Sequence, residues 1–210
     1  IGTLADVVPL RGENRVIAKV GLENLSAGNH TIGLQALLDS SGVSGQSVGS
    51  EDIVFRVAPR INAAGRMNSA ELAAQLLLTT DSAQASSARK LAELLNTENI
   101  RRRQVETAVF SEARNIIQKD IDFAAHSAFV VWAASWHRGV IGIVASKLAE
   151  LFVRPTIIIS VDGNEAYGSG RSIPGFDLLS ALDDCGDLLI RFGGHRQAAG
   201  LRIETERLSE

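Results

Sequence analysis

From Ser82 to Lys119 the chain contains neither glycine nor proline, and Asp81 stands just before it as a good helix N-cap. Ala88, Leu91, Leu95, Val105, Val109, Ala113 and Ile116 recur at spacings of three, four and seven, with one slip around Ile100. This predicts one helix from Asp81 to about Lys119, roughly 55 Å long at 1.5 Å per residue. A helix of that length in a chain of 210 residues is expected to join two lobes. Arg101-Arg102-Arg103 in its middle reads as a solvated face, with a nucleic-acid contact as the alternative.

The two sides of this helix carry different periods. Residues 1 to about 69 read as short helices. Val16, Val20 and Leu25, with Ile17 and Leu22, fit one helical face, and Ile32–Leu38 is a second helix closed by Gly42 and Gly45. Ser50, with Glu51 and Asp52 behind it, starts a third through Ile53, Val54 and Phe55, which Pro59 is expected to stop. Pro59–Arg66 then reads as a loop whose Arg60 and Arg66 either contact an anion or are merely solvated. Glu71–Leu78 is helical. After Lys119, Ala128–Ala134 and Pro155–Val161 read as buried strands, and Val140–Leu151 as an amphipathic helix between them. Tyr167, Leu188–Ile190 and Leu201–Ile203 supply further short strands. The fold class expected is α/β: a mostly helical part, a long connecting helix, and a small mixed sheet with helices.

Two glycine-rich stretches stand out, Gly168-Ser169-Gly170-Arg171-Ser172-Ile173-Pro174-Gly175 and Arg191-Phe192-Gly193-Gly194-His195-Arg196-Gln197-Ala198-Ala199-Gly200. They read as turns between a strand and a helix, where glycine lets the backbone approach a ligand and free N–H groups suit an anion. Arg171 and His195 would add side-chain donors. The plain alternative is chain reversal. Neither stretch is a P-loop, because no Gly-Lys-Ser/Thr ending is present. His137, in Trp136-His137-Arg138-Gly139, could orient a phosphate or base, or could simply cap the following helix.

The formal net charge of −3 argues against a uniformly basic DNA-coating protein, but not against a local basic cleft. No apolar run approaches the ~20 residues of a membrane helix. The single cysteine, Cys185, cannot pair internally, which suits a reducing, cytoplasmic setting. The chain opens on Ile1 in mid-pattern, as expected of a piece of a longer protein.

In order along the chain, Asp6-Val7-Val8-Pro9-Leu10, Pro59–Arg66, Trp136–Gly142, Gly168–Ser172 and Gly193–His195 with Ala198–Gly200 resemble the RecJ family. These are single-strand-specific 5′→3′ DNA exonucleases of the DHH phosphoesterase superfamily. The resemblance implies that residues 1–69 end a DHH catalytic lobe, 70–119 form the helical connector, and 120–210 are the DHH-associated, substrate-binding domain. It implies metal-dependent phosphodiester hydrolysis in DNA repair and recombination, with Mn²⁺ or Mg²⁺ as cofactor and Asp6 as a metal-ligating, catalytic residue. Read alone, an aspartate in that setting is more often a turn residue or helix cap. The resemblance further implies that Arg60 or Arg66, Asn62, His137, Ser169, Arg171, Ser172, Gly193, Gly194 and His195 hold the DNA or its phosphate. The partners implied are single-stranded DNA and, beyond it, a single-strand-binding protein or a helicase; no membrane is expected, and the narrow gap between lobes would exclude a duplex. The family's Asp-x-Asp pair and Asp-His-His triplet have no counterpart here, since the four histidines stand at 30, 126, 137 and 195. Those ligands are expected before Ile1, and the chain alone is expected to be inactive. Two alternatives remain: a DHH phosphodiesterase of short oligonucleotides or cyclic dinucleotides, and a non-catalytic nucleic-acid-binding module.

Overall fold

In the computed structural model, which describes residues 1–45, 47–123 and 125–210, the chain forms two compact units, Ile1–Arg102 and Arg103–Glu210. The first unit is helical: α1 (Gly2–Ala5), α2 (Glu13–Ser26), α3 (Ile32–Ser41), α4 (Ser50–Asp52), α5 (Ala58–Met67), α6 (Glu71–Leu78) and the first half of α7 (Ala85–Asp120). Leu37, Leu38, Ile53, Val57, Leu76 and Leu95 form its core.

Two expectations for this unit are corrected. On α2, Val16, Ile17 and Val20 are the exposed residues, at 61%, 58% and 46%. Ala18 is the buried one, with Leu22 and Leu25 packed partly against the core. The helix is apolar on more than one side, and its small residue takes the inner position. Pro59 does not stop a helix, and Pro59–Arg66 is not a loop. Ile53–Val57 forms a π turn in which Ala58 N–H reaches the Ile53 carbonyl, and α5 begins immediately after it. Pro59 therefore sits in the first turn of a new segment, where no N–H is required.

α7 runs 36 residues, about 54 Å at 1.5 Å per residue, and Asp81 caps the short 3₁₀ turn Ser82–Gln84 that leads into it. The slip around Ile100 has a cause. The buried stripe runs on there through polar residues, Asn99 and Glu106, at 2% and 6% exposure. Arg102 donates to Asn99 Oδ1 at 3.1 Å, and Lys147 pairs with Glu106.

The second unit contains a five-stranded sheet, order β1-β2-β3-β5-β4: β1 (Phe129–Ala133), β2 (Thr156–Asp162), β3 (Glu165–Arg171), β4 (Leu189–His195) and β5 (Ala198–Glu204). β1 and β2 are parallel, joined by α8 (Arg138–Phe152), and the other pairings are antiparallel. α9 (Leu178–Asp184) lies between β3 and β4 in sequence. The α9 side of the sheet holds Ile157, Ile159, Ala166, Ala199 and Ile203 with Leu178 and Leu182.

The glycine stretches differ from the sequence expectation. Gly168, Gly170 and Arg171 lie inside β3, and Gly193-Gly194-His195 ends β4, joined to β5 by a hairpin through Arg196 and Gln197. Neither stretch presents free N–H groups at a helix start. A Cβ on Gly168 would come within 2.8 Å of the Leu201 side chain, and one on Gly170 within the same distance of Leu178. These glycines are packing choices within strands.

Candidate nucleic-acid interface

Residues paired across a ladder project to the same face, and alternate residues along a strand share it. On the face opposite α9, the registers generate three rows. Arg171, Ala198 and His195 form the first. Ser169, Gly200 and Gly193 form the second, and Tyr167, Arg202 and Arg191 the third. Arg171 and His195 flank Ala198 on either side, two strand spacings or roughly 10 Å apart at the backbone.

α8 packs on β2 and β3, so it covers the β3 end of each row. Its Gly142 is needed there, because a Cβ would lie 3.0 Å from Ser169 Oγ and 3.2 Å from an Arg171 guanidinium nitrogen. Arg171 donates to Ser169 Oγ at 3.1 Å and to the Gly170 carbonyl at 2.8 Å. The β5–β4 part stays open: Gly193, His195, Gly200 and Arg191 are exposed.

The hairpin tip is pinned on both sides. Ser172 N–H donates to the Gln197 carbonyl at 2.9 Å, and Leu178 N–H to that of Arg196 at 3.1 Å. Arg196 also pairs with Asp177, the N-cap of α9, at 3.1 Å. Gly194 has φ +148, a backbone region in which L side chains are strained. His195 Nδ1 accepts from Gln197 N–H at 3.2 Å, so the neutral ring carries its proton on Nε2. The result is a fixed hairpin that offers one imidazole donor.

The third row is a charged network. Arg202 forms two hydrogen bonds with Glu165, which also accepts from the Tyr167 hydroxyl at 2.7 Å. Arg202 first, and Tyr167 second, hold the Glu165 carboxyl below its ordinary range, while Glu165 raises Arg202 further. Arg138 lies 3.2 Å over the Tyr167 ring and pairs with Asp162 at 2.7 Å. Tyr167, Arg191, Gly193, Gly200 and Arg202 line an open groove of about 500 Å³.

The structure gathers only some of the sequence-selected residues. Ser169, Arg171, Gly193, Gly194 and His195 meet on the sheet. Ser172 lies just beyond β3, where its hydroxyl donates to the Phe176 carbonyl at 2.9 Å and shapes the turn. His137 caps α8, its Nδ1 accepting from Gly139 N–H at 3.0 Å. In the helical unit, Arg60 donates from Nε to Asn96 Oδ1 at 3.0 Å and reaches the Arg56 carbonyl. Asn62 and Arg66 lie one helical turn apart on α5, both exposed. Asp6 follows α1, exposed. Arg202 and Glu165 were not singled out, and Arg191 and Tyr167 were read only as the start of a glycine-rich turn and as part of a short strand. For the two arginines the signal was the alternation Arg191-x-Gly193-x-His195 and Ala198-x-Gly200-x-Arg202, which places one set on one face.

Against known proteins, residues 125–210 match the DHHA1 domain. A single-stranded-DNA-specific exonuclease RecJ of Bacillus subtilis is 42% identical over 209 residues, covering 98% of this chain and 26% of that protein. Over nearly its whole length the chain is similar to part of RecJ. The structure of RecJ with Mg²⁺ from Thermus thermophilus superposes with a TM-score of 0.85 at 36% identity, over 99% of this chain and 31% of that one. A crystal structure of exonuclease RecJ bound to manganese matches with a TM-score of 0.82 at 36% identity, over 99% of this chain and 50% of that one. The chain thus spans a quarter to a half of these relatives, and the α/β fold expected from the sequence is the one found.

Those two structures hold Mg²⁺ and manganese, respectively. Asp6 offers one carboxylate, and among the described residues no group of three or more His, Cys, Asp or Glu is arranged to hold a metal ion. A two-metal centre does not fit this donor set alone. Among the described residues no helix is long and apolar enough to cross a membrane.

Proposed function

We propose that the open face of the sheet binds single-stranded DNA, and that the chain is the substrate-gripping part of a 5′→3′ single-strand exonuclease. In this reading residues 1–69 end the DHH catalytic lobe, 70–119 connect, and 120–210 bind the strand. The observation that carries it is Arg171 and His195 standing in register on either side of Ala198, with Ser169 beside Arg171. Arg171 presents a planar fork to a phosphate, His195 adds its Nε2–H, and Ser169 supports the guanidinium. The bare backbone at Gly193 and Gly200 lets a sugar–phosphate chain lie close to the sheet. Holding the strand in one register contributes to the rate by orientation.

Hydrolysis itself is assigned to the larger protein. Mn²⁺ or Mg²⁺ would activate water there, Asp6 would be one ligand, and the other ligands would belong to the additional length of the relatives. The chain alone is then inactive. A cytoplasmic role in DNA repair and recombination, beside a single-strand-binding protein or a helicase, belongs to the same proposal. Arg60, Asn62 and Arg66 on α5, with His137, Ser172 and Gly194, are its secondary contacts or supports.

The test is Arg171→Ala in the full-length protein. One charge-assisted hydrogen bond contributes about 1.5–3 kcal/mol, so the Kd for a single strand should rise at least roughly tenfold. Unchanged affinity and turnover would remove Arg171, and this reading, from consideration.

A further inference from the structure

The first row of the sheet face accounts for a gripped phosphate, but it leaves the third row without a task. Among the described residues the Arg191 side chain forms no hydrogen bond and no ion pair. It is exposed on β4, directly beside Arg202 in the same row, at the end of a groove whose floor is Gly193 and Gly200. A Cβ added at Gly193 would meet nothing within 4 Å, so the floor is open there. Arg202 is the opposite case, fixed by two bonds to Glu165, which is itself held by Tyr167. A guanidinium locked by its own carboxylate marks that end of the groove, and the unpaired one beside it on β4 supplies net positive charge.

We propose that this groove is a second strand-binding subsite, which takes the phosphate backbone downstream of the nucleotide held by Arg171 and His195 and makes the site selective for chain length. The proposal rests on the reading of this face as the strand-binding one. The first and third rows are four residues apart along each strand, roughly 13 Å at the ordinary strand rise. A stacked single strand advances about 3.4 Å per nucleotide, so the rows are about four stacked nucleotides apart. A dinucleotide gripped at the first row falls short of the third. A longer strand reaches it, gaining Arg191 as a phosphate contact against a backbone floor that has no side chain to displace. Glu165 is a positioning residue: it holds Arg202 against Tyr167, and its charge keeps that arginine from collapsing into the groove. No base edge is addressed by these groups, so the selectivity is for length and not sequence.

The test compares a dinucleotide with a dodecamer of deoxythymidylate, both 5′-phosphorylated, as substrates of the full-length protein and of its Arg191→Ala and Gly193→Val variants. For Arg191→Ala the KM ratio of dinucleotide to dodecamer should fall about tenfold. The slope of log KM against log salt for the dodecamer should shrink by about 0.7, the loss of one phosphate contact on a single strand. Gly193→Val, which fills the floor, should lower the same ratio without changing the thermal midpoint. A ratio and salt slope unchanged in Arg191→Ala, or a loss that is equal for both substrates, would overturn the subsite while leaving the Arg171 reading intact. If the unaltered protein cleaves neither substrate, the nuclease reading itself fails, and the subsite falls with it.

Discussion

Two adjacent glycines on β4 give the sharpest test of the hairpin that presents His195. Gly194 has φ +148, and a Cβ there would lie 2.3 Å from the Ala198 carbonyl oxygen and 2.6 Å from Ala199 Cα. Gly193 has an ordinary φ, and a Cβ there would meet nothing within 4 Å. Gly194→Ala therefore incurs backbone strain of about 1–3 kcal/mol. It also incurs a clash that cannot relax cheaply, because Ala198 and Ala199 are paired to β3 on their other side. Overpacking of this kind costs about 1–3 kcal/mol, so a loss of about 4 kcal/mol is the central expectation. Gly193→Ala should be neutral or stabilising by about 0.4–1 kcal/mol, because it only restricts the unfolded chain. The two variants should then differ by more than a hundredfold in folding equilibrium, at 1.4 kcal/mol per factor of ten. Both tryptophans, Trp132 and Trp136, lie in the unit Arg103–Glu210, so urea unfolding followed by tryptophan fluorescence reports on the unit that carries the sheet. Equal midpoints for the two variants would refute the hairpin geometry, and with it the fixed position of His195.

The ion pair at the third row should appear in the acid limb of stability. Arg202 and Tyr167 depress the Glu165 carboxyl below its ordinary value of 4.5, so its contribution is complete above that pH and is lost as pH falls through the folded value. Glu165→Gln should be less stable than the parent at neutral pH and converge with it in acid; a constant gap in thermal midpoint across that range would contradict this. His137 offers a separate check, since its ring caps α8. His137→Ala should cost about 1 kcal/mol and His137→Asn should restore most of it, as read by the urea midpoint; a stability unaffected by His137→Ala would deny the cap.

The length of α7 and the change of period after Lys119 were legible because each rests on many residues that agree. The slip near Ile100 interrupted the apolar spacing, yet the buried stripe runs straight through it on Asn99 and Glu106, which no apolar pattern can register. Pro59 misled for a related reason. A proline stops a helix only where a donor is required, and the π turn at Ile53–Val57 had already reset the ladder. His137 was readable as a cap or a ligand, and the structure shows the cap. Arg60 pointed to an anion by type, and only its packing against α7 discloses Asn96 as its partner.

The glycine stretches carry the largest lesson. Gly168, Gly170, Gly193, Gly194 and Gly200 lower the strand signal of β3, β4 and β5, so the sequence reads as turns where there is a sheet. The same absence of side chains lets Leu178 and Leu201 close on one face and leaves bare backbone on the other. Polar residues on that second face, Arg171, Ser169, His195, Arg191 and Arg202, then stand at the margins of an open floor. They do not crowd its centre. The features that hide the strands from pattern reading are the ones that shape the open face, and a row of arginines spaced two residues from glycines becomes a surface only once the register is known.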